Sequence, residues 1–293
     1  MSEVETVPRN VALKEWVEQC RTDPVRYRDR QVIEILLHAI GITPELRGIL
    51  LLKGGTLMSL AFGSTRTTDD VDFTARGKPE PFASNLREQL DEALKRSSAT
   101  IGYVDLVVRV QRIERRPRRD NFETAKFPGL EITIASAQRG TSEEDRLLRG
   151  QGVRVIDVEI SFNEPIISSQ EIRLDDPKVA IRAYSFSEMI AEKLRALLQQ
   201  VPRGRNRRQD VYDIDWLLSS VSSEAIDRDT IMTALLEKSF ARGIFPVRES
   251  MRDPGVREHA EREWKSMALE VGELPPFEEC FERVRFFYEE LPW

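Results

Sequence analysis

Asp70 and Asp72, in the run Arg66-Thr67-Thr68-Asp69-Asp70-Val71-Asp72-Phe73-Thr74, are the residues of this chain best suited to chemistry. Polar and apolar residues alternate over 70–74, which predicts a strand, and residues i and i+2 of a strand face the same side. Two carboxylates held side by side repel unless a divalent cation sits between them, and Mg2+ (or Mn2+) prefers such oxygen ligands on rigid backbone. Without a strand, the same residues read as an acidic loop or a helix cap. Upstream stands Lys53-Gly54-Gly55-Thr56. Lacking Cβ atoms, the two glycines let the backbone approach a phosphate closely, and a following helix offers free N–H groups to it. Thr56 would add a hydroxyl. Alone, the pair is a tight strand-to-helix turn; beside the two carboxylates it describes a triphosphate lying between turn and metal. A Walker A loop is excluded, because its lysine follows the last glycine, whereas Lys53 precedes the pair.

A second group lies downstream. On a helix over 186–200, Lys193 has Met189 and Leu197 four residues to either side, so it borders an apolar stripe. A cation there needs a phosphate or a carboxylate, and Asp210 or Asp213 can supply the latter; the alternative is a lysine that snorkels from the edge of a core. Asp210 also reads as a first-turn or capping aspartate of the helix that follows. Two arginine clusters, Arg112, Arg115, Arg116, Arg118 and Arg119 in one and Arg203, Arg205, Arg207 and Arg208 in the other, suit a polynucleotide or a solvated loop. Arg205, Arg207 and Arg208 are nearer the proposed site and are the candidate acceptor contacts.

The elements that must position these groups follow from patterning. Helices are expected over 11–20 and 29–40, then a short buried strand at 49–52, a helix over 56–62, the strand at 70–74 and a helix over 81–95. Strands are expected at 104–110, 130–135 and 153–162, with long charged loops at 115–124 and 139–152. After about residue 177 helix dominates, over 186–200, 210–218, 223–238, 256–271 and 277–290. This is an α/β (α+β) chain with two expected domains: residues 1–176, a strand-bearing core with N-terminal helices, and residues 177–293, a helical domain that contributes Lys193 and Asp210.

The chain has 293 residues with a formal net charge of −6, 40% hydrophobic and 32% charged residues. That charge argues against a protein that coats nucleic acid non-specifically, since such binding rests on clustered Lys and Arg. Two cysteines and two histidines leave little material for a disulfide framework, a zinc site or a His-based triad. No apolar run is long enough to span a bilayer and no signal peptide is visible, so a cytoplasmic protein is expected, with no membrane partner.

Taken together, Lys53-Gly54-Gly55-Thr56 and Arg66-x-Thr68-x-Asp70-x-Asp72-Phe73 resemble the AbiEii/AbiGii toxin family, a MenT-like branch of the polymerase β-like nucleotidyltransferases. The downstream Glu192-Lys193-Leu194-Arg195-Ala196-Leu197 and Asp210-Val211-Tyr212-Asp213-Ile214 are similar to that family's later motifs. One departure is that Gln209 separates Arg208 from Asp210. The resemblance covers about residues 30–220. It implies a polymerase β-like core with a mixed sheet, in which Asp70, Asp72, Lys193 and Asp210 are catalytic. Lys53, Gly54, Gly55, Thr56, Arg66 and Thr68 would then hold the nucleotide. A third carboxylate on a later strand is usual in such enzymes; over 153–162, where Asp157, Glu159 and Ser161 share one face, Glu159 is the candidate further metal ligand, and a solvated strand face is the alternative. The reaction implied is transfer of NMP from an NTP to an acceptor hydroxyl, with pyrophosphate leaving. Relatives suggest a tRNA 3′ end as acceptor, a toxin of a toxin–antitoxin or phage-defence pair, and a cognate antitoxin as partner. Two rivals are a same-fold enzyme that nucleotidylates a protein or small molecule, and a non-catalytic binding protein.

Overall fold

The computed structural model describes residues 4–68, 70–118, 121–175 and 179–293. Asp69, Arg119 and the expected domain boundary at 176/177 lie outside them. The chain begins with β1 (Val4–Glu5), β2 (Arg9–Asn10), α1 (Leu13–Glu18), α2 (Pro24–Ile42), α3 (Pro44–Ile49), β3 (Leu50–Lys53) and α4 (Gly54–Phe62). It continues through β4 (Asp70–Ala75), α5 (Pro79–Thr100), β5 (Leu106–Arg116), β6 (Gly129–Gln138), α6 (Ser142–Leu148) and β7 (Arg154–Phe162). Then come β8 (Ser168–Arg173), β9 (Ala180–Tyr184), α7 (Phe186–Arg203), α8 (Arg208–Ser219) and α9 (Arg228–Ala241), with α10 (Pro254–Glu261), α11 (Ala268–Val271) and α12 (Phe277–Glu289) last.

Among the described residues, nine strands form one mixed sheet in the order β1-β8-β9-β3-β4-β7-β6-β5, with β2 also on β8. β4 runs antiparallel to β3 and parallel to β7, and β7 runs antiparallel to β6. This register sets Lys53 opposite Asp72, Asp72 opposite Glu159, and Glu159 opposite Glu131, a polar row across four strands. The alternate residues Val71, Phe73, Val158, Ile160 and Ile132 are buried, as period-two alternation requires of one covered face. One continuous set of buried apolar side chains extends from Val11 to Leu291, through both the sheet and the C-terminal helices. Among the described residues no helix is long and apolar enough to cross a membrane.

The expected strand over 104–110 extends to Arg116, past a bulge between Val110 and Arg112. Its charged end survives because two arginines of the first cluster that lie on it are paired: Arg115 with Glu80 at 2.6 Å, and Arg116 with Glu131 at 2.7 Å. β8 is a strand that hydrophobic patterning misses, because its buried residues other than Ile172 are polar. Ser168 shares a 2.5 Å hydrogen bond with Ser185, and the Gln170 amide donates to the Tyr184 carbonyl at 2.8 Å. A short helix, α6, interrupts the expected loop over 139–152. The single helix expected over 256–271 is broken between α10 and α11, where Glu263 takes a left-handed conformation at φ 60°.

Candidate active site

Asp70 and Asp72 leave one face of β4, and Glu159 leaves the same face of its parallel neighbour β7. Facing them across a cleft of about 510 Å³ are Gly54 and Gly55 at the start of α4, and Lys193 and Asp210 from α7 and α8. The two glycines are required by close approach. Gly54 has φ +70°, and a Cβ there would sit 1.9 Å from Asp72 Oδ2; one on Gly55 would sit 2.7 Å from Thr68 Oγ1. The carboxylate strand and the diglycine turn are therefore in contact.

Neighbouring hydroxyls hold Asp70 in place. Thr68 donates to Asp70 Oδ1 at 2.5 Å. Thr56 does not face the cleft as expected: it is buried and donates to the Asp70 carbonyl at 2.8 Å, so its hydroxyl braces the strand. Burial, then the nearby charge of Asp70, pushes the Asp72 carboxyl up to about 7, against the pull of Lys53. Glu159 is open to solvent along its strand, yet partial desolvation in the concave wall and the charge of Asp70 hold it above its ordinary value. Among the described residues no three His, Cys, Asp or Glu side chains form a metal cage. Glu159 lines the cleft from the neighbouring strand, in register with Asp72, without closing such a group around the pair on β4. The pair on β4 remains, and two carboxylates suit Mg2+ when substrate phosphates supply further oxygens.

α7 begins at Ser185, whose hydroxyl accepts from the Glu188 N–H at 3.1 Å, and ends at Gly204 in a left-handed conformation. This fixes the phase that turns Met189, Lys193 and Ala196 toward the cleft. Lys193 is buried, not snorkelling: Nζ lies 2.6 Å from Asp213 Oδ2 and 3.2 Å from Asp210 Oδ1. Burial works against its charge, but Asp213 and Asp210 raise it above its ordinary value. Asp213 also receives Arg66, with Nε at 3.0 Å and Nη2 at 3.1 Å. Burial would raise the Asp213 carboxyl, but Lys193 and Arg66 together carry it below the usual range. Arg66 thus reaches the cleft already engaged. Asp210 Oδ2 is buried without a hydrogen-bond partner, and Arg207 Nε stands 3.9 Å from it.

Lys53 also lines the cleft, held by Glu164 at 2.6 Å and Ser161 at 2.8 Å. Glu164 is anchored in turn by Thr74 at 2.7 Å and Arg242 at 3.0 Å. Neither Glu164 nor Arg242 carries a signal in sequence: one follows the end of β7 and the other caps α9, far from any motif. Of the arginines expected to meet the acceptor, Arg205 and Arg207 line the cleft. Arg208 does not. It is directed outward to Glu270 at 3.1 Å and Glu263 at 3.5 Å, because the next residue of a helix points about 100° away.

The structure is similar to that of the nucleotidyltransferase toxin MenT4 of Mycobacterium tuberculosis H37Rv, at 14% identity, with TM-score 0.53 over 96% of this chain and 90% of that one. JHP933 from Helicobacter pylori is similar at 14% identity and TM-score 0.50, over 92% of each chain. At such identities the likeness is one of fold, the mixed sheet and helical C-terminal region expected for this class. No curated protein matches the chain in sequence. The family model for the nucleotidyl transferase AbiEii toxin of type IV toxin–antitoxin systems matches residues 36–283. Because that match spans most of its length, the chain belongs to the AbiEii family and is a nucleotidyltransferase toxin of the type IV toxin–antitoxin class.

Proposed function

We propose that the chain transfers a nucleoside monophosphate from an NTP to the 3′ hydroxyl of an RNA, a tRNA acceptor end in the first instance, with Mg2+ or Mn2+ at Asp70 and Asp72. The observation that carries this reading is the contact of Asp72 with the Gly54 backbone in the cleft that Lys193 enters. A hard cation on the two carboxylates would polarise the α-phosphate and offset charge on the flanking oxygens. Lys193, Lys53 and the Gly54-Gly55 backbone hold the outer phosphates. Asp213 and Asp210 Oδ1 orient Lys193, which leaves Asp210 Oδ2 free to accept a proton or an N–H from the nucleotide. The acceptor oxygen forms its bond to the α-phosphorus as the bond to pyrophosphate breaks, and the hydroxyl proton passes to the carboxylate wall. RNA as acceptor is supported by Arg195, Arg203, Arg205, Arg207 and Arg242 around the cleft, a local positive field on an acidic protein.

The residues 177–293 act in this reading as the domain that supplies Lys193 and Asp210, in a cytoplasmic toxin countered by a cognate antitoxin. The test is incubation with each of the four labelled NTPs and total tRNA, with and without divalent metal, for the native chain and Asp70→Ala. Label in tRNA that disappears in Asp70→Ala is expected. Label only in protein would replace RNA by a protein acceptor.

A further inference from the structure

The cleft that would hold the triphosphate continues, along the sheet from β4 toward β6, into a second recess of about 310 Å³. Both are bordered by Lys53, Asp72, Glu159, Ser161 and Arg242, so the recess opens directly onto the carboxylates. Its far wall is different in kind. There Phe127, half-buried, lies under the Arg242 guanidinium, 3.5 Å from the ring centroid. Glu164 fixes that guanidinium by an ion pair at 3.0 Å. Pro117, Pro128 and Gly129 complete the wall, and Arg116 stands at the rim, about half exposed.

We propose that this recess receives the terminal nucleoside of the acceptor strand, its base stacked on the Phe127–Arg242 pair and its hydroxyl turned toward Asp72 and Glu159. The proposal rests on the transfer reaction above and names the subsite that reaction needs. Three observations support it. A guanidinium stacked on an aromatic ring extends the ring into a base-stacking platform, tolerant of base identity because every base has a π-face. The volume is at the lower end of small-ligand sites, roughly 300 Å³, which suits one nucleoside and not a nucleoside triphosphate. In-line displacement places the attacking and leaving groups on opposite sides of phosphorus. The diglycine turn and Lys193 occupy the β3 and α7 side of Asp72, and the recess lies on the β7 and β6 side. With the outer phosphates on the β3 and α7 side, the recess is left to the acceptor, and Arg116, paired with Glu131, stands at its rim.

The experiment uses two short single-stranded RNAs, identical except that one ends in a ribose lacking its base. Transfer from the preferred NTP is measured for the native chain, Phe127→Leu and Phe127→Trp. The native chain is expected to favour the complete RNA about tenfold in KM, the order of one stacked base. Phe127→Leu, which keeps bulk without a π-face, should lose that preference while KM for the NTP stays unchanged; Phe127→Trp should keep it. Equal KM values for the two RNAs in the native chain would overturn the subsite, as would a rise in KM for the NTP in Phe127→Leu. Absence of label in both RNAs, with label elsewhere, would instead overturn RNA as the acceptor class.

Discussion

Asp72 lies against Gly54 so closely that a Cβ on the glycine would overlap the Oδ2 atom, 1.9 Å away. Gly54 also has φ +70°, which side-chain-bearing residues rarely adopt. Gly54→Ala must therefore push the carboxylate out of the cleft. A misplacement of about 1 Å at a reacting centre costs on the order of 100-fold, so kcat should fall by about that factor with far-ultraviolet circular dichroism unchanged. A Gly54→Ala protein with native kcat would show that the position of Asp72 does not matter to the reaction.

Asp213 is fully buried between Lys193 and Arg66, and its loss leaves Lys193 with Asp210 at 3.2 Å and Arg66 with Glu270 at 3.5 Å. Removing one partner of a buried ion network costs about 3–5 kcal/mol. Asp213→Ala should lose stability of that order in urea denaturation. Lys193→Met behaves differently, because Asp213 keeps its bidentate pairing with Arg66. It should unfold closer to the native midpoint while losing transfer. Equal destabilisation by both variants would mean that Lys193 is a structural ion-pair partner and no more.

What could be read from sequence was local. Asp70 and Asp72 share a face because they are two residues apart on one strand, and Lys193 sits at a helical phase that any α7 would reproduce. The partners that fix these groups are remote: Lys53 meets Glu164 across 111 residues, and Asp213 meets Arg66 across 147. Periodicity contains no term for such pairs. The placement of Thr56 is hidden from sequence for a related reason. A hydroxyl after a diglycine turn looks like a phosphate ligand until the neighbouring strand is seen to take it. β8 escaped notice because buried serines and a glutamine, satisfied by one another and by backbone, look like loop in a hydrophobic pattern.

The Asp72 carboxyl, at about 7 against an ordinary 3.8, makes cation binding depend on pH. Its raised value means that the folded chain keeps the proton longer than the unfolded one. That contribution to stability is fully present below 3.8 and is lost as pH rises through about 7. A cation must displace the same proton, so apparent affinity for Mn2+ should fall about tenfold per unit below pH 7 and level off above it. Calorimetric titration of Mn2+ at pH 6, 7 and 8 reads this directly, and Asp72→Asn should abolish the dependence. Affinity equal at pH 6 and pH 8 would count against Asp72 as a ligand.

Arg205 and Arg207 line the cleft, while Arg208, adjacent in sequence, is tied to Glu263 and Glu270 outside it. The three therefore separate under salt. A phosphate contact to single-stranded RNA contributes about 0.7 to the slope of log affinity against log salt. Arg205→Ala with Arg207→Ala should reduce that slope by about 1.4 in fluorescence anisotropy with a labelled oligoribonucleotide. Arg208→Ala should leave the slope alone. Its ion pairs are partly exposed, so its cost is at most about 1 kcal/mol of folding stability. A slope that falls for Arg208→Ala but not for the double variant would place the RNA on the outer face of α8, away from the carboxylates, and the acceptor route through the cleft would fail.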